Sequence, residues 1–306
     1  MIANRVVRKG VAFTAILFFS AALTYGQQSD KLFQWAVEAS SYSYVHNVTY
    51  TRANGQDLKL DLILIAPHDP PRPTVLFIHG GGWINGSKDD MTMAPLPFVV
   101  KGMDVVNIDY RLAHDSLAPA AVEDCRCSLR WIYRHARQYG FDTNKILVAG
   151  ESAGGHLALT TAMLEPSAGF DNGCPAEADD VPMKVAAVVS YSGPTDVADL
   201  LEGPHQQYFT HEWFGSLSNP LELARRLSPL SYVRPGLPPI IMTHGDHDPY
   251  VPYSEALRLH EALDRVGDPN VLITRPGPIH GWAMERDASV QEQVFKALAD
   301  YGMVPR

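Results

Sequence analysis

The chain has 306 residues, 46% of them hydrophobic and 19% charged, with a formal net charge of −9. That acidity excludes a basic footprint for nucleic acid or for anionic lipid surfaces. The length suits one large α/β domain rather than two independent ones, no internal repeat or low-complexity segment interrupts it, and three cysteines cannot all pair.

Residues 1–26 begin basic (Arg5, Arg8, Lys9), run apolar from Val11 to Leu23 and end near Gly26, the layout of a signal peptide. The apolar run of 13 residues falls short of the roughly 20 that span a bilayer. Cleavage after Gly26 is therefore expected rather than a membrane anchor, and no cysteine stands there to carry a lipid. The mature domain, 27–306, would be secreted or periplasmic and three charges more negative.

A meander is predicted over 45–52 and 57–66, followed by a buried strand over 74–79. That strand runs into His79-Gly80-Gly81-Gly82-Trp83. Successive glycines let the main chain curl close to a carbonyl oxygen, so Gly81 and Gly82 are candidate oxyanion donors. Trp83 is a candidate substrate contact or a buttress of the loop. A strand over 104–109 ends at Asp109-Tyr110-Arg111, which is expected to hold the glycine loop by hydrogen bonds. The helix predicted over 119–139 carries Cys125 and Cys127, which point away from each other at that spacing and cannot bridge. A bond from either one to Cys174 stays open.

The run Ile146-Leu147-Val148-Ala149 reads as a buried strand within 145–150. It enters Gly150-Glu151-Ser152-Ala153-Gly154, and an apolar helix is predicted over 153–164. This strand–turn–helix context makes a nucleophile elbow of an otherwise weak G-x-S-x-G pattern. Ser152 is the candidate nucleophile and Ala153 a third oxyanion donor. Glu151 reads as a buried, paired acid and His156 as structural. After a strand over 184–191, residues 197–235 break the alternation with Tyr208, Phe209, Trp213 and Phe214, and a small lid is expected there.

A strand over 239–244 leads to Gly245-Asp246-His247-Asp248-Pro249, and a helix over 253–266 follows. A strand over 270–275 then leads to His280-Gly281-Trp282, and a last helix spans 287–301. Serine, acid, histidine is the order expected on such a sheet. His280 is the candidate base and Asp248 its partner, preferred over Asp246 because Pro249 and Pro252 mark the turn into the next helix. Trp282 is a candidate pocket wall or a pin for the loop. His247 lacks metal-ligand spacing around it, and no metal or cofactor is expected.

These motifs, with Asp109-Tyr110-Arg111-Leu112, Tyr191-Ser192-Gly193-Pro194-Thr195-Asp196 and His280-Gly281, resemble the α/β-hydrolases of the carboxylesterase and hormone-sensitive-lipase-like branch. The resemblance is nearest to the bifunctional acetylxylan/feruloyl esterases and runs from about residue 45 to the C-terminus. Glu151 departs from the aspartate usual in the lipase-like branch, which favours the acetylxylan/feruloyl side. The stretch 168–183, with Cys174 and several acids, matches neither pattern and is a candidate pocket rim. The resemblance implies a mostly parallel sheet with helices on both faces and a serine esterase without a cofactor, acting on short-acyl or hydroxycinnamoyl esters of a small molecule or of xylan. A small-ester carboxylesterase, an amidase or peptidase of the same fold, and a non-catalytic binding module are the alternatives. The oligomeric state is not legible.

Overall fold

The strands and helices alternate along the chain: β1 (Tyr42–Ala53), β2 (Gln56–Ile65), β3 (Arg72–Ile78), α1 (Leu96–Val100), β4 (Asp104–Ile108), α2 (Ala120–Tyr139), β5 (Phe141–Glu151) and α3 (Ala153–Met163). There follow β6 (Ala187–Tyr191), α4 (Val197–Glu202), α5 (Tyr208–Phe214), α6 (Pro220–Arg226), β7 (Ile240–Gly245), α7 (Tyr253–Val266), β8 (Asn270–Arg275), α8 (Gly281–Met284) and α9 (Ala288–Asp300). This computed structural model describes residues 41–66, 69–171, 173, 174, 177, 180 and 182–305. The expected signal segment lies outside these residues. Residues 44–306 form one compact unit.

One eight-stranded sheet runs in the order β1-β2-β4-β3-β5-β6-β7-β8. β2 pairs antiparallel with β4, and from β4 to β8 every pairing is parallel. The central strands are apolar on both sides because side chains alternate across a strand. Along β5, Ile146 and Val148 enter one core while Leu147 and Ala149 enter the other. The first core is closed by Ile132 of α2, Leu157 of α3, Leu263 of α7 and Trp213 of α5. The second is closed by Phe98 of α1 and by Val290, Val294 and Leu298 of α9. The architecture is the expected α/β one.

The chain passes from β3 to β4 on one side and then returns to β5 on the other side of β3. A crevice opens at such a reversal, outside the carboxyl ends of the strands. Pairing of Ile78 with Gly150 and of Glu151 with Tyr191 brings the ends of β3, β5 and β6 level.

Described residues of the stretch 168–183 are tied to α2. Arg126, Arg130 and Arg134, four residues apart on one helix face, pair with Asp171 at 2.6 Å, Asp180 at 3.2 Å and Asp180 at 2.8 Å. Cys127 and Cys174 form a disulfide with their Cα atoms 5.6 Å apart, and Cys125 stays free and buried. None of the described residues of this stretch lines the cavity at Ser152.

Candidate active site

β5 ends at Glu151, and Ser152 follows in a conformation that side chains rarely adopt, φ 53° and ψ −121°. The turn is held by Ser152 N–H donating to Tyr191 O at 2.7 Å and by His156 N–H donating to Ser152 O at 3.1 Å. It also depends on Gly154, where a Cβ would come within 2.5 Å of His79 O. Helix and strand therefore approach more closely than any side chain permits. Ala153 opens α3, where the first amides have no acceptor within the helix.

Ser152 Oγ lies 2.8 Å from His280 Nε2, and His280 Nδ1 lies 2.7 Å from Asp248 Oδ2. Asp248 Oδ1 also accepts the Tyr250 and Val251 amides at 2.9 and 3.1 Å. Burial works to raise the Asp248 pKa, but the hydrogen bond and charge of His280, the Tyr250 amide and His244 outweigh it and hold the carboxyl below its ordinary value. A lasting negative charge there fixes the imidazole tautomer and stabilises an imidazolium. Asp246 does not meet His280. It accepts the Gly277 amide and pairs with His247, both at 2.7 Å.

Facing Ser152 across the cavity, Gly81 and Gly82 take positive φ values of 111° and 62°. The loop is anchored from behind. Tyr110 Oη donates to His79 O at 3.1 Å, and Lys88 N–H donates to Asp109 Oδ1 at 2.7 Å. Arg111 grips Asp124 of α2 through its backbone N–H and its guanidinium. His79 stacks on Tyr110 at 4.2 Å, and burial lowers its pKa to about 4, so it is a neutral buttress near pH 7.

Trp83 is fully buried and does not reach the cavity. Its ring stacks on Trp213 at 4.2 Å, and its Nε1–H donates to His156 Nδ1 at 3.3 Å. His156 Nε2 meets Leu227 O at 2.7 Å, and burial brings the His156 pKa down to about 4. The tryptophan thus buttresses the glycine loop and ties it to α3 and the lid. Trp282 belongs to α8, directly after His280, and its side chain lies outside the described residues.

The cavity at Ser152 has a volume of about 390 Å³ and includes Gly80, Gly81, Gly82, Glu151 and His280 in its wall. Its mouth also has Met91, Phe209 and the exposed rings of Tyr208 and Tyr250, none assigned to the site from the sequence. Tyr250 stands edge-on to His280, ring centroids 5.0 Å apart. A larger cavity of about 740 Å³ lies beside α4, lined by Asp196, Asp199, His205 and Arg258. It lacks a nucleophile beside a base, so the chemistry belongs to the smaller one. Among the described residues no group of three or more His, Cys, Asp or Glu side chains gathers as a metal ion would need.

A strained serine hydrogen-bonded to a histidine, with a buried carboxylate behind it and a glycine loop in the same cavity wall, can carry out acyl transfer. The BD-FAE family model matches residues 60–263, more than half of the chain. Esterase LipC of Mycobacterium tuberculosis is 29% identical over 219 residues, 69% of this chain and 53% of LipC. The probable isoprenylcysteine alpha-carbonyl methylesterase ICMEL1 of Arabidopsis thaliana is 28% identical over 233 residues, 72% of this chain and 48% of that protein. The chain thus spans about half the length of these two relatives. Among solved structures, the propionate-bound esterase Est2 of Thermogutta terrifontis superposes with a TM-score of 0.72 at 26% identity, covering 87% of this chain and 96% of Est2. The same esterase phosphonylated by sarin gives 0.74 at 26% identity, covering 85% and 96%. On this match the chain belongs to the BD-FAE family, in the carboxylesterase branch of the α/β-hydrolases.

Proposed function

We propose that the chain is a serine hydrolase of carboxylic esters that works through a covalent acyl-enzyme. The observation that carries this reading is the continuous relay from Ser152 through His280 to Asp248, with Gly81 and Gly82 in the wall of the same cavity. Ser152 Oγ adds to the ester carbonyl carbon as His280 Nε2 takes its proton. The carbonyl oxygen becomes an anion held by the Gly81, Gly82 and Ala153 amides. Collapse expels the alcohol, which takes the proton from His280, and water then releases the acid by the same steps.

The substrate in this reading is a short-acyl or hydroxycinnamoyl ester, with acetyl or feruloyl groups on xylan as the polymeric case. The Glu151 departure and the aromatic mouth formed by Tyr208, Phe209 and Tyr250 support it. A second reading, small soluble esters, is favoured by the propionate-bound and butyrate-bound structures of the Thermogutta esterase. Export follows from the N-terminal layout and is supported by the Cys127–Cys174 disulfide, since such bonds persist in oxidising compartments. No helix among the described residues is long and apolar enough to cross a membrane.

Release of acetate and ferulate from acetylated, feruloylated xylan tests both readings, with Ser152→Ala as the blank. Release above that blank supports the cell-wall substrate. Cleavage of p-nitrophenyl acetate alone selects the small-ester reading. Ser152→Ala is expected to lower kcat on p-nitrophenyl acetate by several orders of magnitude, and near-normal turnover would remove the mechanism.

A further inference from the structure

Two buried carboxyl groups stand behind the relay, and the mechanism above uses neither. Glu151, beside the nucleophile, is 3% exposed, and Glu285, at the end of α8, is also 3% exposed. A buried carboxylate is costly unless it is paired and hydrogen-bonded, yet neither carboxyl oxygen of Glu285 has a hydrogen-bond partner. Its nearest cation, Arg286 Nε, is 3.9 Å away on a side chain 68% exposed. Such an orphan asks for an explanation.

Glu151 occupies the point where three catalytic segments meet. Its side chain packs on Gly80 at the start of the oxyanion loop, where a Cβ would fall 2.5 Å from Glu151 Cδ and 2.8 Å from Glu151 O. On the other side it packs on Gly281, next to His280. A Cβ at Gly281 would fall 2.7 Å from Glu151 Oε2, 2.9 Å from Tyr191 O and 3.1 Å from Ser152 N. Glycine at both positions lets the oxyanion loop and the histidine loop close on this one side chain. Glu285 follows from the same short helix, its N–H donating to Gly281 O at 3.1 Å. Gln291 of α9 bonds both the Glu285 carbonyl at 2.8 Å and Tyr191 Oη at 3.0 Å.

We propose that Glu151 and Glu285 act together as a positioning pair for the reaction proposed above. Glu151 braces the oxyanion and histidine loops against Ser152, and it does so only while Glu285 is uncharged. The charged groups acting on Glu151 are His280 and Arg286, and those acting on Glu285 are Glu151 and Arg286, with the Tyr191 phenol beyond. Burial first, and then the charge of Glu151, raise the Glu285 pKa to about 8, against a smaller pull from Arg286. Ionisation of Glu285 above that pH places two like charges in a site with little water, and the repulsion drives Glu151 off Gly80 and Gly281. Misplacing the oxyanion amides weakens transition-state binding, so kcat falls while KM is held.

The experiment is the pH profile of kcat and KM on p-nitrophenyl acetate, corrected for buffer hydrolysis, for wild type, Glu285→Gln, Glu151→Ala and Glu151→Gln. Fluorophosphonate labelling of Ser152 and a thermal melt accompany each. Wild-type kcat is expected to fall on the alkaline side with a midpoint near 8, and Glu285→Gln, which cannot ionise, to abolish that limb. Glu151→Ala is expected to lower kcat about ten- to hundredfold at nearly constant KM, with Glu151→Gln recovering most of the loss. A Glu285→Gln profile that superimposes on wild type overturns the pairing, as does a wild-type kcat that stays flat through the alkaline range. The glutamine variants keep the side-chain volume, so they decide the matter even if the alanine variant fails to fold. A wild-type chain that is neither labelled nor turns over ester defeats the esterase reading itself and this inference with it. Failure of the pair alone leaves labelling and turnover in place.

Discussion

Ser152 sits in a strained backbone conformation, and that strain persists because its neighbours over-determine the turn. Tyr191 O holds its amide, and the absent Cβ of Gly154 lets α3 press against the end of β3. The two candidate acids show how local chemistry sorts like residues. The Asp248 carboxylate is buried, meets His280 and accepts two amides, whereas the Asp246 side chain is part-exposed and committed to Gly277 and His247. Asp248→Asn is therefore expected to lower kcat by about 10⁴-fold, the scale of losing the correct imidazole tautomer. Asp246→Asn should cost far less. Comparing kcat/KM of the two variants on p-nitrophenyl acetate settles the ranking, and the reverse order would transfer the role to Asp246.

The lid and the disulfide strap belong to the scale of elements. The helices of the insertion 197–235 have six or seven residues each, too few for a helical period to stand out in a sequence window. They are stabilised by burial instead. Phe209 packs over Gly82, and Trp213 stacks on Trp83, so the lid and the oxyanion loop share one aromatic core. Asp171, Asp180 and Cys174 of the strap 168–183 are tied to α2 by arginine–carboxylate pairs and by Cys127–Cys174. The disulfide closes a loop of sequence separation 47, and such a crosslink contributes about 2–4 kcal/mol by restricting the unfolded chain. The double variant Cys127→Ser, Cys174→Ser is expected to lose that amount in urea unfolding while keeping its esterase kcat. Equal stability with and without the bond would mean that the arginine pairs alone hold the strap.

For the whole molecule, burial of carboxyl groups sets the slope of stability against pH. Glu255 of α7 is fully buried and accepts the Thr195 and Asp196 amides at 2.7 and 3.0 Å, pinning the chain where it enters the lid. Burial raises its pKa from 4.5 to about 8. Between those values the folded state keeps a proton that the unfolded state has released, so stability falls as pH rises through that window. Glu285 adds to the slope with the same sign. Glu255→Gln is expected to flatten the dependence, raising Tm at pH 8 relative to wild type by more than at pH 5. Parallel Tm curves for the two proteins across that range would show that Glu255 titrates normally.

The sequence by itself determined the strands from β2 to β8 and the four long helices α2, α3, α7 and α9, because each central strand is an apolar run and each of these helices is either amphipathic or, like α3, apolar all round. The short helices α1, α4–α6 and α8 were not legible in it. It also marked Ser152, Gly81, Gly82, Asp248 and His280, since a close backbone approach demands glycine and a sharp turn leaves its residues adjacent in the chain. Only the tertiary structure decided which cysteine Cys174 bonds and that Trp83 faces the core instead of the cavity. The same holds for Tyr208 and Tyr250 at the mouth, and for Glu285 behind Glu151. Those relations join residues far apart in the chain, and no local pattern encodes them. They follow from the level ends of β3, β5, β6 and β7, which gather distant loops into one crevice.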